Sequence, residues 1–235
     1  MVDEVLKRAA DGGRITADEA VMLYRDAPLE ELGAAADAVV RERVGDRITY
    51  NVNAHLNPTN ICVVGCGFCA FAVWTEKDER AYAYSVDQLV ERATELSDLG
   101  ITELHIVGGM TKEYDLPYYE ELFSELKAEL PHVSLTALTA VEVDFIAKIS
   151  KVSHREALER LIAAGHDTMP GGGAEVFSPR VRKIIADRKA PAETWLDVHR
   201  EAHGQGMRTN ATLLFGHFET PEEQVDHMRH LRDLQ

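Results

Sequence analysis

The sequence predicts an α/β protein: a (β/α) barrel of the TIM type, incomplete at its C-terminal end, preceded by a helical extension. Three observations lead there. From residue 46 onward strand patterns alternate with helix patterns, which argues for parallel strands joined by crossover helices. Nothing matches G-x-G-x-x-G or a P-loop, which weighs against the nucleotide-binding open sheets. The polar and glycine-rich segments follow strands, as they do at the carboxyl face of a barrel, where active sites lie.

Residues 1–45 form the expected extension and residues 46–235 the expected partial barrel domain. In the extension, Val2–Ala10 reads as a short helix. Thr16 and Glu19 have capping-box spacing and open a second, and Pro28 begins a third that runs to about Arg43. The barrel then starts with a strand over Arg47–Asn53, where β-branched residues alternate. Ser85 caps a helix across Val86–Leu99. Glu103–Val107 is the second strand, stopped by Gly108-Gly109. An amphipathic helix spans Pro117–Leu130 and the third strand Val133–Leu138. A helix over Glu142–Ile149 and one capped by Ser153 precede a short fourth strand, His166–Met169. Helices follow at Pro179–Ala186 and Pro191–His203. Met207–Phe215 is the fifth strand, and Thr220, Pro221 and Glu223 begin the last helix. Five strands fall short of the eight that close a barrel of about 250 residues, so the barrel is expected to be partial or the sequence to belong to a longer protein.

Composition limits the function. Hydrophobic residues make up 45% of the 235-residue chain and the formal net charge is −15. A globular core fits the first figure; the second, with no basic patch, speaks against nucleic acid. No apolar run approaches the roughly 18 residues of a membrane span, and residues 1–13 lack a signal-peptide core, so a cytoplasmic protein without membrane attachment is expected.

The chemistry concentrates in Asn57–Phe71, NPTNICVVGCGFCAF. All three cysteines lie there, Cys62, Cys66 and Cys69, spaced C-x3-C-x2-C with Phe68 before the last. Three thiolates in so short a loop can hold three irons of a four-iron cube and leave the fourth iron open to a small molecule. A zinc site is the alternative. It needs a fourth ligand, for which His55 is nearest, and zinc ligands usually come as two separated pairs.

With this loop in place the sequence resembles the radical S-adenosylmethionine (SAM) enzymes. The resemblance implies a [4Fe–4S] cluster on Cys62, Cys66 and Cys69 and SAM as co-substrate on the fourth iron. It places Gly108 and Gly109 against the methionine end of SAM and Phe68 against its adenine, although a glycine pair can merely turn the chain and Phe68 can simply pack in the core. It also assigns Glu175 and Arg182, in PGGGAEVFSPRVR, to the ribose and carboxylate of SAM; a surface ion pair is the bland alternative.

The segments NPTNIC, HIVGG, LTALTAVE, PGGGAE and TNATLLFGHFET resemble the aminofutalosine synthase group of the menaquinone route. The dehypoxanthinyl futalosine cyclases and the subunits of the deazaflavin (FO) synthase are close siblings. His105, Asn210, His217 and Glu219 tilt the resemblance to the first. It implies addition of a 5′-deoxyadenosyl radical to 3-[(1-carboxyvinyl)oxy]benzoate, with no obligatory general acid or base, and a ferredoxin or flavodoxin as electron donor. Asn53, Thr139, Glu142, Asn210, Thr212 and His217 are the candidate donors to the substrate carboxylates. Glu142 and His217 can equally serve as helix or loop caps. A non-catalytic iron–sulfur or zinc fragment is the remaining alternative.

Overall fold

Short parallel strands need long crossovers, and here each strand is followed by one or two helices. The computed structural model describes residues 1–235. Its elements in order are α1 (Val2–Ala10), α2 (Ala17–Asp26), α3 (Leu29–Val44), β1 (Asn53–His55), α4 (Val86–Ser97), β2 (Glu103–Ile106), α5 (Leu116–Glu129), β3 (Ser134–Ala137), α6 (Ala140–Ser150), α7 (His154–Ala164), β4 (Thr168–Met169), α8 (Pro179–Ile185), α9 (Ala192–Gly204), β5 (Arg208–Thr209) and α10 (Pro221–Leu234).

The chain forms two compact units. The larger, residues 51–214, holds the sheet, whose strands pair in parallel in the order β1-β2-β3-β4-β5. One face is apolar: Leu104, Ile106, Leu135, Ala137 and Met169 are fully buried, together with Leu89, Leu122, Phe123, Leu158 and Trp195 of the crossover helices. Alternate residues of a strand point to the other face, and those are polar. This sheet is the expected partial barrel.

The smaller unit comprises residues 1–50 and 215–235. Val5, Leu6 and Leu23 form its apolar cluster with Ile15, Met22 and Leu32 around them. Here α10 packs on α2 through an Arg25–Glu222 ion pair, and Arg232 donates to the Ile15 carbonyl at 3.2 Å. The last helix therefore groups with the N-terminal helices, whereas its place in the sequence assigned it to the barrel domain.

Helix boundaries follow the caps read from the sequence. Thr16 with Glu19, Ser85 with Gln88 and Thr220 with Glu223 form reciprocal capping boxes, and Ser153 accepts the Glu156 amide at 3.1 Å. The strands are shorter than their sequence patterns. Ile48 and Tyr50, expected in the first strand, are 92% and 91% exposed, and the ladder starts only at Asn53, which pairs with Glu103 at the start of β2. The fifth strand ends at Thr209 because its single neighbour, β4, ends at Met169. A strand can be no longer than the partner that satisfies its backbone.

Candidate active site

The three cysteines lie in one loop after β1, at the carboxyl ends of the strands. All are free thiols. Cys62 and Cys66 are partly buried and Cys69 is exposed. The Cys69 amide donates to the Cys66 carbonyl at 3.1 Å, a tight turn that brings the last two together. Burial pushes the Cys66 thiol pKa up; Glu175 and the other two cysteines add to the rise, and Lys189 opposes it. The three thiols therefore share a neighbourhood with a buried ion pair.

The glycine pair after β2 is packed against the start of this loop. Gly109 donates to the Thr59 carbonyl at 2.7 Å, and a Cβ on it would lie 2.1 Å from the Ile61 carbonyl oxygen. A Cβ on Gly108 would meet the Thr59 carbonyl at 3.1 Å. Both glycines are thus required by the cysteine loop's own backbone, while their carbonyls accept no hydrogen bond from the chain. On the same flank Val63 donates to the Met110 carbonyl at 3.0 Å, and Cys62 donates to the Val73 carbonyl at 2.9 Å.

The loop after β4 closes over Cys66 from α8. Gly67 donates to the Ile185 carbonyl at 2.8 Å, and Cys66 packs on the cluster of Val176, Val181, Ile185 and Ala186. Glu175 sits there with a positive φ of 49° and pairs with Lys189 at 2.6 Å, both side chains about nine-tenths buried. The Lys189 ammonium also stands 5.5 Å from the centre of the Phe68 ring, in cation–π range. Phe68 is 45% exposed, so it is not a core residue. Lys189 has no signature in the sequence: it lies in a turn with no local pattern around it.

Cys62, Cys66, Cys69, Phe68, Gly108, Gly109 and Glu175 thus converge at one end of the sheet. Others do not offer their groups to this site. The Arg182 guanidinium donates to the carbonyls of Gly173, Ala174 (2.6 Å) and Ala190, bracing the glycine loop. Gly171, Gly172 and Gly173 are filled by Ala211, Thr139 and Val141; the close approach they permit is to the chain itself. Glu142 is buried and accepts from Gly108 and from both the amide and hydroxyl of Thr139, so Thr139 and Glu142 form a helix start. Asn53 lies at the opposite, amino end of β1 and donates to Glu103. Thr212 donates to the Gly171 carbonyl at 2.8 Å, and Asn210 is exposed just beyond β5 with its amide on the Met169 carbonyl at 3.0 Å, so neither residue lies within a strand. His217 belongs to the smaller unit, where its ring and amide meet Glu219 at 3.1 Å in the 216–219 turn.

The radical SAM superfamily profile matches residues 56–231. The chain belongs to the radical SAM superfamily. That family implies a [4Fe–4S] cluster and SAM. Among curated relatives, the chain is 44% identical over 234 residues to the cyclic dehypoxanthine futalosine synthase of Streptomyces coelicolor, covering 98% of this chain and 59% of the relative. It is 42% identical over 232 residues to the aminodeoxyfutalosine synthase of Thermus thermophilus, covering 98% and 62%. The chain thus spans about three fifths of the length of these relatives. Its fold matches that of the FeFe-hydrogenase maturase HydG of Carboxydothermus hydrogenoformans with a TM-score of 0.75 at 22% identity, over 99% of this chain and 52% of that one.

Proposed function

We propose that this radical SAM protein is an aminodeoxyfutalosine synthase: it joins the 5′-deoxyadenosyl group of SAM to 3-[(1-carboxyvinyl)oxy]benzoate. The observation that carries the reading is the convergence on Cys66. The cysteine loop, the glycine pair and the Glu175–Lys189 pair meet at the carboxyl ends of the strands, in a chain 42% identical to the Thermus enzyme.

The donor set fits the cluster. Three soft thiolates suit iron–sulfur chemistry, and no His, Asp or Glu joins them as a fourth ligand. No three or more His, Cys, Asp or Glu side chains converge on one point that could hold a single ion. A zinc ion gathers its sulfurs at about 2.3 Å from one centre, whereas a cube takes one thiolate on each of three irons. The sequence spacing C-x3-C-x2-C, with no separated second pair of ligands, supports the cube over the zinc alternative.

When bound, the cluster supplies the electron that cleaves SAM to a 5′-deoxyadenosyl radical. Cys62, Cys66 and Cys69 would hold three of its irons. Gly108 and Gly109 keep the loop in place and leave two carbonyls for the SAM ammonium. Phe68 presents a half-exposed ring to the adenine. Glu175, held by Lys189, would accept from the ribose. The chain's remaining work is orientation and exclusion of water, which is what radical addition to an alkene needs.

Anaerobic reconstitution with iron and sulfide should give a brown protein, and Cys62→Ala, Cys66→Ala or Cys69→Ala should bind no intact cluster. With SAM, a reductant and the benzoate, mass spectrometry should find 6-amino-6-deoxyfutalosine. Free 5′-deoxyadenosine without adduct would overturn the synthase assignment. The 44% identity to the Streptomyces cyclase favours one second reading, hydrogen abstraction from dehypoxanthine futalosine; conversion of that compound alone would establish it.

A further inference from the structure

One row of side chains crosses the whole sheet at a common register. His55 is paired with His105, His105 with Thr136, Thr136 with Thr168 and Thr168 with Arg208. Residues paired across parallel strands point to the same face. Their sequence neighbours Leu104, Ile106, Leu135, Ala137 and Met169 are buried under the helices. The row therefore lies on the face around which a barrel wraps, one level below the loops that carry the cysteines and the glycine pair.

Every member of the row is polar, and most of that polarity is unused. Thr136 is 3% exposed, and its hydroxyl is buried without a hydrogen-bond partner. Such a group costs free energy unless something arrives to satisfy it. The His55 and His105 rings stand 5.0 Å apart, tilted by 44°, and form no hydrogen bond to the chain. Arg208 forms no ion pair in a protein with a net charge of −15. Only the Thr168 hydroxyl is engaged, donating to the Arg208 carbonyl at 2.8 Å. One acid shares this face: Glu103, a level nearer the amino ends, and it is bonded to Asn53. Burial, and secondarily His55, hold the His105 pKa below the usual imidazole range, so its ring stays neutral and offers one N–H. No third ligand joins the two imidazoles in a metal site.

A guanidinium, an orphaned hydroxyl and two imidazoles on one wall describe an anion subsite of carboxylate size. We propose that this row binds a carboxylate of the aromatic diacid, with Arg208 as its charge partner and Thr136 and His105 as further donors. The identity of the diacid rests on the function proposed above; the site itself rests on the row.

The test measures binding of 3-[(1-carboxyvinyl)oxy]benzoate by anaerobic calorimetry to the reconstituted protein with SAM present. Arg208→Gln should weaken binding about tenfold to hundredfold, and the nearly isosteric Thr136→Val about tenfold, with melting temperatures close to wild type. Arg208→Lys should recover part of the loss. Of the two mono-carboxamide analogues, one should bind wild type weakly and lose nothing more in Arg208→Gln. Wild-type binding with Arg208→Gln unchanged within twofold, or with neither analogue cancelling its effect, overturns the row while the synthase reading stands. A wild-type protein that does not bind the diacid overturns both.

Discussion

Glu142 accepts the Gly108 amide at 2.9 Å across 34 residues of chain, and its other oxygen takes the Thr139 amide at 2.8 Å and hydroxyl at 2.6 Å. One buried carboxylate thus ties the loop after β2 to the first turn of α6. Burial raises its pKa and the three donors oppose the rise without cancelling it. Glu142→Gln turns one acceptor into a donor facing another donor. It should cost about 1–3 kcal/mol in urea unfolding, with about 2–4 °C of melting temperature for each kcal/mol. Because the folded pKa lies above the unfolded one, the acid is worth most when protonated. The gap between wild type and variant should narrow as pH rises from about 4 into the neutral range.

Gly109 leaves no room for a side chain, since its Cβ would overlap the Ile61 carbonyl, which is backbone. Gly109→Ala should displace the cysteine loop. Iron bound after reconstitution should drop well below wild type while far-ultraviolet circular dichroism stays helical. Gly33, inside α3, is the opposite case: nothing lies within 4 Å of the place a Cβ would take. Gly33→Ala should stabilise the helix by about 0.5–1 kcal/mol and leave iron content unchanged.

The Glu175–Lys189 pair at 2.6 Å is nearly buried on both sides. Burial pulls the ammonium pKa down, but the charge and hydrogen bond of Glu175 push harder and the net shift is upward. Lys189→Met strands the carboxylate and should cost about 3–5 kcal/mol. Lys189→Met combined with Glu175→Gln should recover much of that loss. The Lys189 contribution is complete below the ordinary lysine pKa of about 10.4 and fades above it, so urea midpoints of wild type and the double variant should converge only at strongly alkaline pH.

His166 is buried with Nε2 on the Ala137 carbonyl at 2.7 Å, and burial, partly offset by that bond, lowers its pKa to about 4. The unfolded chain takes up this proton near pH 6.5, so stability should fall as pH drops below that value. The loss by pH 5 should be about 2 kcal/mol from this residue. His166→Gln should flatten the acid limb by that amount in urea titrations at pH 7 and pH 5. An unchanged slope would move the acid sensitivity to His199, whose pKa burial lowers to about 3.

The helices are legible in the sequence because their signals are local: a capping side chain and its amide lie three residues apart, as at Ser85 and Gln88. Strand patterns overrun the strands because alternation says which face a residue takes, not where its partner ends. Arg47–Asn53 alternates well, yet Ile48 and Tyr50 face solvent. The cysteine spacing marks its loop directly. Lys189 carries no such mark, being defined only by Glu175 fourteen residues earlier. The row from His55 to Arg208 is a product of register between strands, which no single segment encodes. Its one local trace is a polar residue inside each short parallel strand, where buried sheets are normally apolar.

The Glu142 tie, the Ile61–Gly109 contact and the Val63–Met110 hydrogen bond together draw only on residues before α6 ends. The side that covers Cys66, through Ile185 and the Glu175–Lys189 pair, comes from later sequence. The two flanks of the cysteine loop are therefore encoded by separate, successive stretches of the chain.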